Sequence, residues 1–154
     1  MTVYLLALLI GVVAGLRAMT APALVSWAAH LGWLDLGGTW LAFFGNVWAR
    51  WILTILALVE LVTDQLPSTP SRTVPVQFGA RIVTGALSGA AVGASGRAMV
   101  GGLIAGIIGA IIGTLGGREF RARLAKAFDN DRPAALLEDA VAIGGALLIG
   151  GALQ

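Results

Sequence analysis

Six charged side chains sit inside or at the edge of strongly apolar stretches: Arg17, Glu60, Asp64, Arg81, Glu138 and Asp139. Arg17 falls in "GLRAMTAPAL", which begins at Gly15; Glu60 and Asp64 close "LALVELVTD"; Arg81 lies in "GARIVT"; Glu138 and Asp139 lie in "ALLEDA". Guanidinium and carboxylate groups in dry surroundings pair with one another, bind an ion or a polar solute, or pass protons. Thr20 and Thr84, each three residues after an arginine, add hydroxyls that line a polar path or bond back to their own helix. Glu60 and Asp64, four apart, share one helix face. The pairs read as Arg17–Glu60 and Arg81–Glu138. Four carboxylates face two arginines in this set, so one or more acids are left to hold a proton, a cation or a cationic substrate, with Glu60 and Glu138 as the candidates for the proton. The bland reading of the same residues is a set of ion pairs tying helices together, with Asp139 favouring a helix N-terminus through the macrodipole.

Little else offers chemistry. The chain has no cysteine, which excludes disulfides and thiolate metal sites, and its one histidine, His30, has no serine or cysteine context. A metal site would have to be built from carboxylates alone, and none is expected; nor is a cofactor. "GGREF" lacks the lysine and the strand of a phosphate-binding loop. No catalytic motif is visible, so an enzyme is not expected, although carboxylate chemistry on lipid head groups would leave a similar signature. No basic patch interleaved with aromatics points to nucleic acid.

The surroundings explain why those charges matter. Of 154 residues, 58% are hydrophobic and 12% charged, and 22 are glycine; the mean hydropathy is +0.89. A water-soluble division into core and surface cannot be built from this composition, and an integral membrane protein in a lipid bilayer is expected. An arginine at mid-bilayer costs at least ~2.5–3.5 kcal/mol on insertion scales. Arg17 must therefore face protein or water.

Five apolar segments follow from the hydropathy. The first, 3–30, is interrupted by Arg17 and Pro22, so a broken helix is expected there; without a basic leader or a small-residue cleavage site it reads as retained rather than a signal peptide. Residues 31–46 make a connection at the membrane interface, for all five tryptophans lie between Trp27 and Trp51. Arg50, between Trp48 and Trp51, reads as an interfacial anchor. Further spans are expected over 47–65, 76–94, 99–115 and 133–153, the last opening on proline. Between the second and third lies a loop, 66–75, rich in proline and small polar residues. The densest basic stretch, Arg118, Arg121, Arg123, Lys126 and Arg132, is cytoplasmic by the positive-inside rule. Phe120, Leu124 and Phe128 recur every four residues, so 118–128 extends the fourth helix or lies along the surface. An all-α polytopic bundle of five transmembrane helices results, with the N-terminus inside, or of six if 3–36 enters and leaves as two short helices. The location expected is the inner, cytoplasmic membrane of a bacterium.

The two halves, 1–66 and 75–154 of a single domain spanning 1–154, share a pattern: Arg-x-x-Thr, then a later Leu-x-Glu. An internal repeat is expected, a common construction in transporters whose substrate sits between the repeats. Inversion of the two halves requires the six-segment arrangement.

"GLRA…P", the acidic "E-x-x-x-D-x-x-P" of "ELVTDQLP", an arginine opening the next helix and the late "LLEDAVAI" together resemble the DUF4126 family of small bacterial membrane proteins. The resemblance covers most of the chain and implies a membrane-embedded helical fold, with no reaction attached. Family members commonly carry a basic residue after the Asp of that element, where this chain has Gln65.

Gly85, Gly89 and Gly93 are spaced by four, as are Gly102 and Gly106, and then Gly109, Gly113 and Gly117. This spacing lets helix backbones approach closely. Packing of the third and fourth segments is the plain explanation, and homo-oligomerisation through these faces the sharper one. The function expected is a small transporter or channel whose pathway is lined by Arg17, Thr20, Glu60, Asp64, Arg81, Thr84, Glu138 and Asp139, with solute or ion unspecified. The rival is a non-transporting membrane scaffold held by ion pairs and glycine contacts.

Overall fold

The structure is a computed structural model that describes residues 1–64 and 74–154. Gln65 and most of the expected 66–75 loop lie outside the described residues. The described residues form six α-helices and one short 3-10 helix, with no strand among them. They are α1 (Thr2–Leu16), α2 (Thr20–His30), the 3-10 turn Trp40–Gly45, α3 (Val47–Thr63), α4 (Pro75–Ser95), α5 (Met99–Phe128) and α6 (Asp131–Leu153).

The contacts give each helix its direction. Tyr4 meets Gly101, Gly11 meets Gly106 and Gly15 meets Thr114, so α1 and α5 run parallel. Gly93 meets Gly102 while Gly85 meets Ala110, so α4 runs against α5. Val13 packs near Gly145 and Arg17 bonds Asp139, so α6 opposes α1. Leu24 reaches Gly150, and Trp27 Nε1 donates to Thr54 Oγ1 at 2.9 Å, so α2 runs with α6 and against α3. The chain therefore reverses at Arg17–Met19. The expected break is present, and it turns residues 2–30 into two opposed helices instead of one bent one. Three helices of alternating direction precede 64 and three follow 74, in opposite order.

The middle of the molecule is α1, α4 and α5, packed backbone to backbone. A Cβ placed on Gly106 would strike the carbonyl of Gly85, and one on Gly109 the carbonyl of Leu8. Glycine is needed at such crossings because no side chain fits between the two backbones. Gly85, Gly89, Gly93, Gly102, Gly106, Gly109 and Gly113 are all buried this way inside one chain. Within the chain those faces are occupied by α1, α4 and α5. Below the break, Ile10, Val25, Leu41 and Phe44 fill the apolar core.

The segment bounds follow local chemistry. Asn130 accepts from the Arg132 amide at 3.1 Å and starts α6 at Asp131, so Pro133 falls inside the first turn rather than opening the helix. α5 continues unbroken to Phe128, the first of the two expectations for 118–128. α5 and α6 are long and apolar enough to cross a membrane, and α1 is a shorter apolar helix. Their outward faces are apolar, with Leu148 78% and Val62 of α3 66% exposed.

Candidate functional site

A helix that stops inside a protein leaves carbonyls at one end and amides at the next without partners. At the α1–α2 break both ends are met by charge. The Gly15 carbonyl, near the end of α1, accepts from Arg81 Nη1 at 2.8 Å and from Thr114 Oγ1 at 3.3 Å. The Ala18 and Met19 amides, at the start of α2, donate to Glu60 Oε1 and Oε2, both at 2.8 Å. A cation thus stands at the negative end of one helix dipole and an anion at the positive end of the next. Arg81 Nη2 and Glu60 Oε1 are 3.8 Å apart, which links the two caps.

Arg17 itself points into the bundle and is 0% exposed. Its Nε donates to Asp139 Oδ1 at 2.6 Å, and its Nη2 also bonds that oxygen. Its Nη1 bonds Asp64 Oδ2, and Glu138 Oε2 lies 4.0 Å from Nη2. Three carboxylates from α6 and the end of α3 therefore surround one guanidinium. A buried arginine is tolerated only with such partners, because the alternative is an uncompensated charge in low dielectric.

Above this layer sits Arg121, which by sequence is one more member of the basic stretch Arg118–Arg132. Arg121 of α5 grips Asp131 with Nε and Nη2 at 3.0 and 2.6 Å, donates to the Asp64 carbonyl at 3.3 Å, and places Nη1 3.7 Å from Glu138 Oε2. Glu138 is fully buried and Arg121 is 20% exposed, so the guanidinium lies between the carboxylate and the surface. One signal was available in the sequence. Arg121 follows Gly109, Gly113 and Gly117 at intervals of four, and so continues the inward face of α5.

Six of the eight expected residues meet in one cluster, with partners exchanged. Glu60 faces Arg81 and the backbone of the break, and Glu138 faces Arg17 and Arg121. The expected pairs Arg17–Glu60 and Arg81–Glu138 are corrected accordingly: α3 ends with Glu60 against the start of α2, so Asp64, one turn on, reaches Arg17. Asp139 is also corrected. It is the ninth residue of α6, beyond the reach of the helix dipole, and it is held by Arg17. Thr84 returns its hydroxyl to the Arg81 carbonyl at 3.2 Å. Thr20 is half-buried in the first turn of α2.

The cluster is off-centre. Seven residues of α6 precede Glu138 and fifteen follow, which at 1.5 Å per residue puts it ~10 Å from one end and ~22 Å from the other. The far end holds Arg50, stacked over Trp27 at 5.1 Å and Trp51 at 5.7 Å. A shallow cleft of about 550 Å³ lies there too, lined by Ala29, Leu34, Asp35, Gly37 and Ala42 among others. Its charged group, Asp35, is engaged by the Gly37 amide.

The fold and cluster define an all-helical chain with charge gathered inside and alkyl groups outside. Residues 4–150 match the family described as Domain of unknown function (DUF4126), and the chain belongs to that family. No curated protein and no solved structure gives a significant match.

Proposed function

We propose that the chain is a multi-pass membrane protein of six segments and that the Arg17 cluster is the polar site of a small transporter or channel. The observation that carries this reading is the break itself: the end of α1 and the start of α2 lie side by side at a reversal inside the bundle, lined by Arg17, Arg81, Glu60, Asp64, Glu138 and Asp139. Discontinuous helices with charged linings are the usual construction of sites for ions and polar solutes in membranes. Burying Arg17 while exposing Leu148 and Val62 is unfavourable in water and favourable in lipid, which supports the bilayer setting. The basic residues from Arg118 to Arg132 support a cytoplasmic position for the nearer end of the cluster.

The second reading, a scaffold held by structural ion pairs, draws on the close pairing of Arg17 with Asp139 and Asp64. Solvent access separates the two. In the cysteine-free chain, Thr20→Cys and Thr84→Cys in oriented vesicles should react with a membrane-impermeant thiol reagent added to the cytoplasmic face. Protection of both cysteines in folded protein would favour the scaffold.

A further inference from the structure

Arg81, Thr84 and Ser88 lie at i, i+3 and i+7 of α4 and so share one face of the helix. All three are buried, Ser88 completely, while Val83 on the opposite side is exposed. Serine and threonine inside a helix ordinarily return the hydroxyl to a carbonyl one turn back. Thr84 does so to Arg81, and Ser95 to Val92 at 2.7 Å. The Ser88 hydroxyl departs from that habit: Oγ is buried and has no hydrogen-bond partner in the protein.

An unmet hydroxyl in dry packing lowers stability, whereas a hydroxyl that meets an occupant does not. Beyond Ser88 the same face is closed by Ala91 and Val92, both fully buried. Ser88 therefore ends the unbroken polar stripe that starts at the Arg17 cluster, ~10 Å deeper than Arg81; Ser95, two turns on, is cut off from it by Ala91 and Val92 and returns its hydroxyl to Val92. We propose that Ser88 is the deep end of the polar site, where its hydroxyl hydrogen-bonds a small uncharged occupant, water first, that enters past Arg81 and Thr84. A neutral occupant fits because a hydroxyl both donates and accepts without carrying charge, and the wall beneath it is alkyl. This rests on the reading of the cluster as a hydrated site.

Two measurements test it. The first is the thermal midpoint of Ser88→Ala in detergent. Loss of a hydrogen-bonded occupant lowers the midpoint, and loss of a dry, unmet hydroxyl raises it. The second exposes single cysteines at Thr84, Ser88 and Ala91 to Ag⁺ in the folded protein and counts the thiols left after unfolding. The expected result is a lowered midpoint, loss of the thiols at 84 and 88, and an intact thiol at 91. A raised midpoint, or an intact thiol at 88 beside a consumed one at 84, overturns the assignment of Ser88 and leaves the hydrated cluster standing. Consumption at 91 overturns Ser88 as the end of the site. Intact thiols at both 84 and 88 overturn this proposal and count against the hydrated cluster as well.

Discussion

Arg17 and Asp139 stand 122 positions apart in the chain, yet Nε of one donates to Oδ1 of the other at 2.6 Å. Through this bond the break after α1 is fastened to the third turn of α6. Removing one partner leaves the other buried and uncompensated, which costs on the order of 3–5 kcal/mol. Arg17→Met should lose stability in that range. Adding Asp139→Asn should recover part of it, so that the double variant is more stable than the sum of single losses predicts. Reversible unfolding in mixed micelles measures the cycle, and strict additivity would separate the two residues energetically.

Glu60 is a cap as well as an ion-pair partner. Glu60→Ala strands the Ala18 and Met19 amides, each a loss of about 1–3 kcal/mol when buried. Glu60→Gln keeps one accepting oxygen and should lose less. Hydrogen exchange at those two amides is the readout: it should speed most in the Ala variant, less in Gln, and remain unchanged in the distant variant Arg123→Gln.

The glycine contacts sort by what a methyl group would meet. Gly106→Ala and Gly109→Ala place Cβ on a facing carbonyl and should prevent the α1–α4–α5 centre from closing. Gly116 and Gly151 meet nothing within 4 Å, and alanine there should raise stability by roughly 0.5–1 kcal/mol through helix propensity. Yield of folded monomer after detergent extraction distinguishes the two sets.

Arg121 covers Glu138 from the nearer surface. Arg121→Ala should open that carboxylate to a water-soluble carbodiimide, and mass mapping should find more modification at Glu138 than in the unaltered protein. Arg121→Lys, which keeps the charge but lacks the fork that grips Asp131, should fall between them. Equal modification in all three would mean that Arg121 does not shield the site.

Much of this arrangement is written in the sequence. Hydropathy marks the helices to within a few residues, and Arg17 with Pro22 marks the break. Spacing alone also identifies Gly85, Gly89 and Gly93 as a packing face. The pairing of the charges was not legible, because it depends on the reversal at Arg17–Met19, which turns α2 back along α6 and brings the end of α3 up to Arg17. Two of the partners are backbone, the Gly15 carbonyl and the Ala18–Met19 amides, and backbone groups leave no trace in residue types. Arg121 was hidden by its neighbours: among Arg118, Arg123 and Lys126 it read as one more surface charge, although its interval from Gly117 gave its direction. The recurring Arg-x-x-Thr falls at different places in its helices, after the end of α1 in one half and in the second turn of α4 in the other.

The most direct measurement leaves the sequence untouched. Met19 sits half-buried at the break, beside the amides held by Glu60, and Met1 is fully exposed at the chain's start. Radiolytic hydroxyl-radical footprinting of the protein in lipid nanodiscs oxidises methionines that lie next to water. A hydrated cluster predicts oxidation of Met19 on the timescale of Met1. A Met19 that stays unmodified while Met1 is consumed would contradict it and leave the charges as a dry structural joint.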